Sequence, residues 1–276
     1  MIEQDLLQRV LAAAVRTGAD FAEVYAEDKR STSVALDDGR VEQVTSGRDR
    51  GAGIRVIKGD TTGFAHTADL SEAGLRAAAE VAAAAASQGD GGTRTIALTR
   101  SPERIVSPVT QYPDEVRKAD KVALLQRMND TARAAGSSIV QVSAGYGDSR
   151  KHVLIANTDG VWATDEQVRT LIRITAVADG DAGMQTGSQS AGHTMGFELF
   201  NKIDVDELAR DAARQALTKL NARPAPSGAL PVVIKQGSGG VLFHEACGHG
   251  LEADAIAKGA SVYQGCLLYT SPSPRD

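Results

Sequence analysis

Cysteine is almost absent from this chain of 276 residues, with only Cys247 and Cys266 present. Two cysteines cannot build a disulfide framework, so the fold has to rest on other interactions. Long hydrophobic runs are missing too. The longest, "AAAEVAAAAAS" (77–87), is alanine-rich, interrupted by Glu80, and too short and weakly apolar to span a bilayer. Basic charge is not in excess: 30 lysines and arginines face 35 acids, a net charge of -5. That balance gives no broad footprint for nucleic acid. The locally basic "RDRGAGIRVIKG" (48–59) carries turn glycines and reads as strand and hairpin. The N-terminus has Glu3 and Asp5 where a secretory leader would be basic, and it reads as an amphipathic helix. A cytoplasmic protein with no membrane association is the expectation.

What remains is ordinary globular composition, with 42% apolar and 24% charged residues, enough for about two domains. Leu6, Leu7, Val10, Leu11 and Val15 recur at helical spacing, predicting a helix over 3–17 closed by Gly18. Short alternating runs follow at 21–28, 31–36, 40–46, 51–59 and 61–67, divided by turn sequences such as "DDG" and "KGD". A helix over 70–87, capped by Asp69 or Ser71, completes an α+β domain over 1–90. The alanines of that helix suit close packing. A glycine-rich, polar stretch (87–95) marks the clearest boundary and runs into a linker spanning 91–112.

The same order then recurs over 113–222: a helix at 113–136, strands at 138–148, 151–160 and 168–180, and a glycine-punctuated strand or loop at 184–200. A helix at 204–222, with Asp204 at its cap, closes this second α+β domain. "RPAPSG" (223–228) is a second linker, and "ALPVVIK" (229–235) reads as a buried strand. "QGSGG" (236–240) then turns into a glycine-rich helix carrying "GGVLFHEACGHGLEAD" (239–254).

That stretch holds His244, Glu245 and His249. Histidines four apart on a helix lie about 40° apart around its axis, whereas five apart they lie roughly 140° apart. A regular α-helix therefore cannot easily offer both imidazoles to one ion, but an i→i+5 turn can. Gly248 and Gly250 would ease such a distortion. If His244 and His249 hold zinc, Glu245 stands beside them as general base. A catalytic zinc site usually has three protein ligands. Glu252, Asp254, Cys247 and Cys266 are the local candidates for the third, none at a convincing spacing, and Glu252 is favoured as a partner that orients His249. The competing view is that His244 and His249 are ordinary core or surface histidines. His66 and His152 read as solvent-facing strand residues, and His193 has no informative spacing.

The stretch 239–254, followed by "AIAKGASVYQG" (255–265), closely resembles the metal-binding segment of the TldD/PmbA family of metalloproteases, with its H-E-x-x-x-H motif. A looser likeness extends upstream through "DFAEVYAED" and "GRVEQVTSGRDRGAGIRVIKGDTTGFAHT", so that it covers roughly 1–265. The resemblance implies a TldD-like zinc peptidase subunit acting on unfolded or extended peptides. It would be paired with a PmbA/TldE-like subunit or assembled as a homo-oligomer. Position by position it makes His244 and His249 metal ligands and Glu245 the catalytic acid–base. The resemblance also puts the family's third ligand, a cysteine, beyond this chain. Residues 226–265 would then begin a C-terminal metallopeptidase domain, and "CLLYTSPSPRD" (266–276) reads as a non-native tail. The alternatives are a non-catalytic peptide-binding or assembly module, or an inactive fragment of the peptidase.

Overall fold

The computed structural model describes residues 2–86, 96–101, 108–181, 183–235 and 237–265. The expected boundary at 87–95, residues 102–107 and the 266–276 tail lie outside these. The chain forms two compact units, 1–222 and 223–276.

In the first unit, α1 (Gln4–Ala14) precedes a long hairpin of β1 (Phe21–Asp37) and β2 (Arg40–Lys58), the short β3 (Thr61–Thr67) and α2 (Glu72–Ala86). After β4 (Thr99–Arg100) the order repeats as α3 (Lys118–Arg133), a long hairpin of β5 (Ile139–Asn157) and β6 (Val161–Ala178), the short β7 (Gln185–His193) and α4 (Val205–Leu220). Among the described residues all seven strands belong to one sheet, ordered β3-β2-β1-β5-β6-β4, with β7 also on β6. Among these, β4 runs parallel to its neighbour β6 and the other pairs are antiparallel. The α+β class expected from the sequence is therefore what the chain adopts.

The short strands read from the sequence are fused in pairs. Runs 21–28 and 31–36 are both parts of β1, 40–46 and 51–59 of β2, and 138–148 and 151–160 of β5. β6 starts at Val161 rather than 168. The physical reason lies in the burial pattern. Ala22, Val24 and Ala26 are buried with α1 and α2, whereas Val34 and Leu36 are buried with α3 and α4. These five positions share one parity, so both helix pairs cover the same face of the sheet. Between the two cores the strands carry Asp28, Arg30, Arg48, Arg150 and Glu166, which interrupt the apolar alternation without ending the hydrogen-bond ladder.

β1 and β5 join the halves, with Glu23–Asp37 lying antiparallel to Ser143–Asn157 and Arg30 directly opposite Arg150. Like charges across a ladder repel. Asp114 offsets this, its carboxylate lying 3.3 Å from Arg30 Nη1 and 3.6 Å from Arg150 Nη1. Arg150 also donates to Glu166 at 2.6 Å and stacks 3.7 Å from the Tyr112 ring centroid.

Each short strand carries a glycine against its helix. A Cβ on Gly63 would come within 2.0 Å of the Ala82 carbonyl oxygen, and one on Gly187 within 2.0 Å of the Ala212 oxygen. Alanine at the facing helix positions permits that approach in both halves, and the alanine-rich stretch of 77–87 is explained by it. The caps agree with expectation: Ser71 Oγ accepts from Gly74 N–H at 3.3 Å and Asp204 Oδ1 from Asp206 N–H at 2.8 Å. The helix predicted over 113–136 begins only at Lys118, because residues 113–115 form a separate 3-10 turn.

The second core holds a polar pair that the sequence did not reveal. Lys121 Nζ lies 2.6 Å from Asp148 Oδ2, with side-chain exposures of 1% and 3%. The ammonium stands 5.2 Å from the centroid of Tyr146, whose hydroxyl burial and Asp148 push far above the ordinary phenol range.

In the second unit, "ALPVVIK" is not the buried strand predicted. Residues 229–235 are irregular and exposed, Val233 to 95%. Among the described residues no strand pairs with this segment, and an isolated strand has nothing to satisfy its backbone groups.

Two outcomes follow from these contacts. Gly63→Ala and Gly187→Ala should each lower stability by about 1–3 kcal/mol through overpacking, whereas Gly147→Ala, with open space around it, should be nearly neutral; urea melts of the three variants test this. Lys121→Met should cost about 3–5 kcal/mol by leaving Asp148 buried and unpaired, and Lys121→Met combined with Asp148→Leu should recover most of that loss.

Candidate metal centre

The glycine-rich segment forms α5 (Ser238–Phe243), then a π-helical turn over His244–Gly248 and a 3-10 turn over His249–Leu251. A short helix, α6 (Ala253–Ala257), follows. The widened turn that the five-residue spacing required is thus present. Its closing bond runs from the His249 N–H to the His244 carbonyl, so the i→i+5 link joins the two histidines themselves. One extra residue in the turn brings position 249 back beneath position 244. The imidazole centroids stand 4.4 Å apart, edge to face at 71°.

His244, Glu245 and His249 each offer a ligand atom within 4.8 Å of the others, the one such group among the described residues, and all three are exposed. Glu245 Oε2 lies 3.7 Å from His249 Nε2. On its other side, His249 Nδ1 is 2.8 Å from Glu252 Oε1. With Nδ1 engaged by that carboxylate, Nε2 is the ring nitrogen on the Glu245 side. Glu252, helped by its charge and to a smaller degree by Glu245, holds the His249 pKa above its ordinary value.

The other local candidates lie apart from this group. Asp254 pairs with Lys258 at 3.3 Å. Cys247 neighbours Tyr263, whose hydroxyl its charge and hydrogen bond hold above the usual tyrosine value. Cys266 lies outside the described residues. His66 and His193 are exposed strand residues, and His152 lies 3.4 Å from Glu166. Two residues that pack on the turn, Ser261 and Tyr263, were missed by sequence reasoning, since contacts formed by a chain returning after a loop leave no periodic trace.

Comparison with known proteins agrees with this architecture. The description "PmbA/TldA metallopeptidase domain 1" matches residues 22–86, and "PmbA/TldA metallopeptidase central domain" matches residues 111–220. A metalloprotease TldD homolog of Haemophilus influenzae is 33% identical over 267 residues, covering 92% of this chain and 54% of the relative. A zinc metalloprotease TldD homolog of Saccharolobus solfataricus is 23% identical, covering 93% of this chain and 55% of the relative. The crystal structure of TldE from Thermococcus kodakarensis shares the fold, with a TM-score of 0.71 at 15% identity over 94% of this chain and 58% of that one.

Two domain models of one metallopeptidase family, matched in tandem, place this chain among the proteins of that family. It belongs to the TldD/PmbA family. The chain spans about half the length of the curated relatives it matches. Among the described residues no helix is long and apolar enough to cross a membrane.

The Glu252 contact sets a direction for titration. Because Glu252 raises the His249 pKa, Glu252→Gln should let that imidazole lose its proton at lower pH than in the unchanged chain; histidine ring NMR signals followed through a pH series read this directly. An unmoved midpoint would remove Glu252 as the cause.

Proposed function

We propose that this chain carries the ion-holding segment of a zinc peptidase that cleaves unfolded or extended peptides. The observation that supports this best is the π turn, which gathers two imidazoles and a carboxylate where a regular helix would separate them. Nitrogen ligands of this kind suit zinc, and a relative is named a zinc metalloprotease. His244 and His249 would hold the ion, with His249 oriented through Glu252 in the manner common to metal-binding histidines.

A bound zinc ion supplies Lewis acidity and makes water acidic enough to be deprotonated near neutral pH. Glu245 is the local base for that proton. Its carboxylate is exposed and adjacent to both histidines, so it can take a proton from the attacking water and pass it to the departing amine. His249, held at Nδ1 by Glu252, keeps its Nε2 directed at the same point.

Two ligands leave the site short of the usual three. The third is assigned to polypeptide beyond this chain, consistent with relatives of about twice its length. The exposure of Val232, Val233, Val241, Leu242 and Phe243 fits a segment that is covered in the longer protein. A TldE-like partner subunit or a second copy, and a cytoplasmic address, belong to the same reading; the fold shared with TldE supports the former. A non-catalytic peptide-binding module remains the alternative outcome.

The experiment compares zinc content and peptide hydrolysis of this chain with those of a version carrying a relative's C-terminal half. Zinc near one per chain and hydrolysis only in the longer protein are expected. In that protein, Glu245→Gln should abolish turnover while keeping zinc, and His244→Ala or His249→Ala should lose both. Full turnover in Glu245→Gln would remove Glu245 as the base, and absence of zinc from both versions would leave the binding module in its place.

A further inference from the structure

A π turn is less regular than the α-helix it interrupts, so something has to hold it in place. The turn at His244–Gly248 is entered from α5, whose N-cap makes no side-chain hydrogen bond, and it passes at once into a 3-10 turn. The chain then leaves through α6, reverses at Gly259 (φ 68°), and brings residues 261–263 back onto the same turns.

Three contacts form there. Ser261 Oγ donates to the Gly250 carbonyl, in the 3-10 turn. The Tyr263 N–H donates to Ser261 Oγ at 3.0 Å, fixing that hydroxyl. Tyr263 Oη donates to the Ala246 carbonyl, inside the π turn, at 3.3 Å. The Cδ2–Cε2 edge of the Tyr263 ring also abuts Gly250, where a Cβ would meet Cε2 at 2.4 Å and Cδ2 at 2.5 Å. The segment therefore bonds one carbonyl on each side of His249 along the chain, and touches neither imidazole nor Glu245 through any of these bonds.

We propose that Ser261 and Tyr263 are positioning residues of the metal centre. They clamp the π-to-3-10 junction from outside and so set the distance between the His244 and His249 rings. Gly250 is glycine because the clamp's ring occupies the space of a side chain. This role rests on the metal-site reading above, but the clamp itself exists without an ion, which allows the two to be tested separately.

The experiment uses the whole chain in three forms: unchanged, Ser261→Ala and Tyr263→Ala, with Ser261→Thr, Tyr263→Phe and His244→Ala as controls. Hydrogen exchange of the His249 amide, which closes the π turn, is measured without metal. Zinc and cobalt(II) affinity by chelator competition and the cobalt absorption spectrum are measured on the same variants made in the longer protein that carries a relative's C-terminal half. Both alanine variants should speed His249 exchange at least tenfold and weaken metal binding by about 10–100-fold, as loss of supporting contacts does elsewhere. The cobalt spectrum should shift, and unfolding of unit 1 should stay unchanged. Ser261→Thr should restore both readouts, and Tyr263→Phe, which keeps the ring on Gly250, should restore most of each.

Unchanged exchange at His249 in both alanine variants overturns the clamp. Faster exchange with unaltered metal affinity and spectrum overturns its positioning role. Should His244→Ala in the longer protein bind metal as well as the same protein without the substitution, the metal-site reading fails and the positioning role with it, while the exchange data still report on the clamp.

Discussion

The antiparallel ladder between β1 and β5 is the constraint on which both cores of the first unit depend. Its register places Ala22, Val24 and Ala26 under one helix pair and Val34 and Leu36 under the other. It does the same in reverse on β5, where Leu154 and Ala156 join the first core and Val142, Ala144 and Tyr146 the second. A slip of one residue would turn all of these to the open face at once. The crossing of Arg30 over Arg150 sits at the middle of this ladder, and Asp114 makes it tolerable by lying between the two guanidiniums.

Each half repeats one plan: a helix, a long hairpin, a short edge strand and a closing helix. Gly63 against Ala82 and Gly187 against Ala212 play the same part in the two copies. The shared plan explains why a small-residue strand and an alanine-rich helix face occur twice. Bulk at either contact would push the closing helix off the sheet.

Local pattern made the helices, the caps and the mixed class readable from the sequence, because each is written within one or two turns of chain. Strand length was not readable. Polar residues such as Asp28, Arg30 and Arg150 look like strand ends, yet they occupy mid-strand positions between two covered regions. Lys121 reads as a solvent-facing lysine on an amphipathic helix, and only Asp148, 27 residues on, explains its burial. The segment 229–235 is as apolar as any core strand, but a strand also needs a partner, and composition does not encode one. At the candidate metal centre the five-residue spacing carried the local geometry, since it left the helix few ways to bring His244 and His249 together. Glu252 was also within reach of that reasoning, three residues from His249. Ser261 and Tyr263 were not.

The π turn at His244–Gly248 can be restated as an insertion. Remove one residue between Glu245 and His249, and the pair becomes four apart on an ordinary α-helix, with both rings on one side. The centre is therefore equivalent, in the direction its side chains face, to a shorter and more regular helix that has absorbed an additional residue without turning its histidines away. An aligner that scores only fixed spacings would treat the two arrangements as unrelated. Superposition on the imidazoles would instead align the rings and leave the added residue bulging on the far side of the helix.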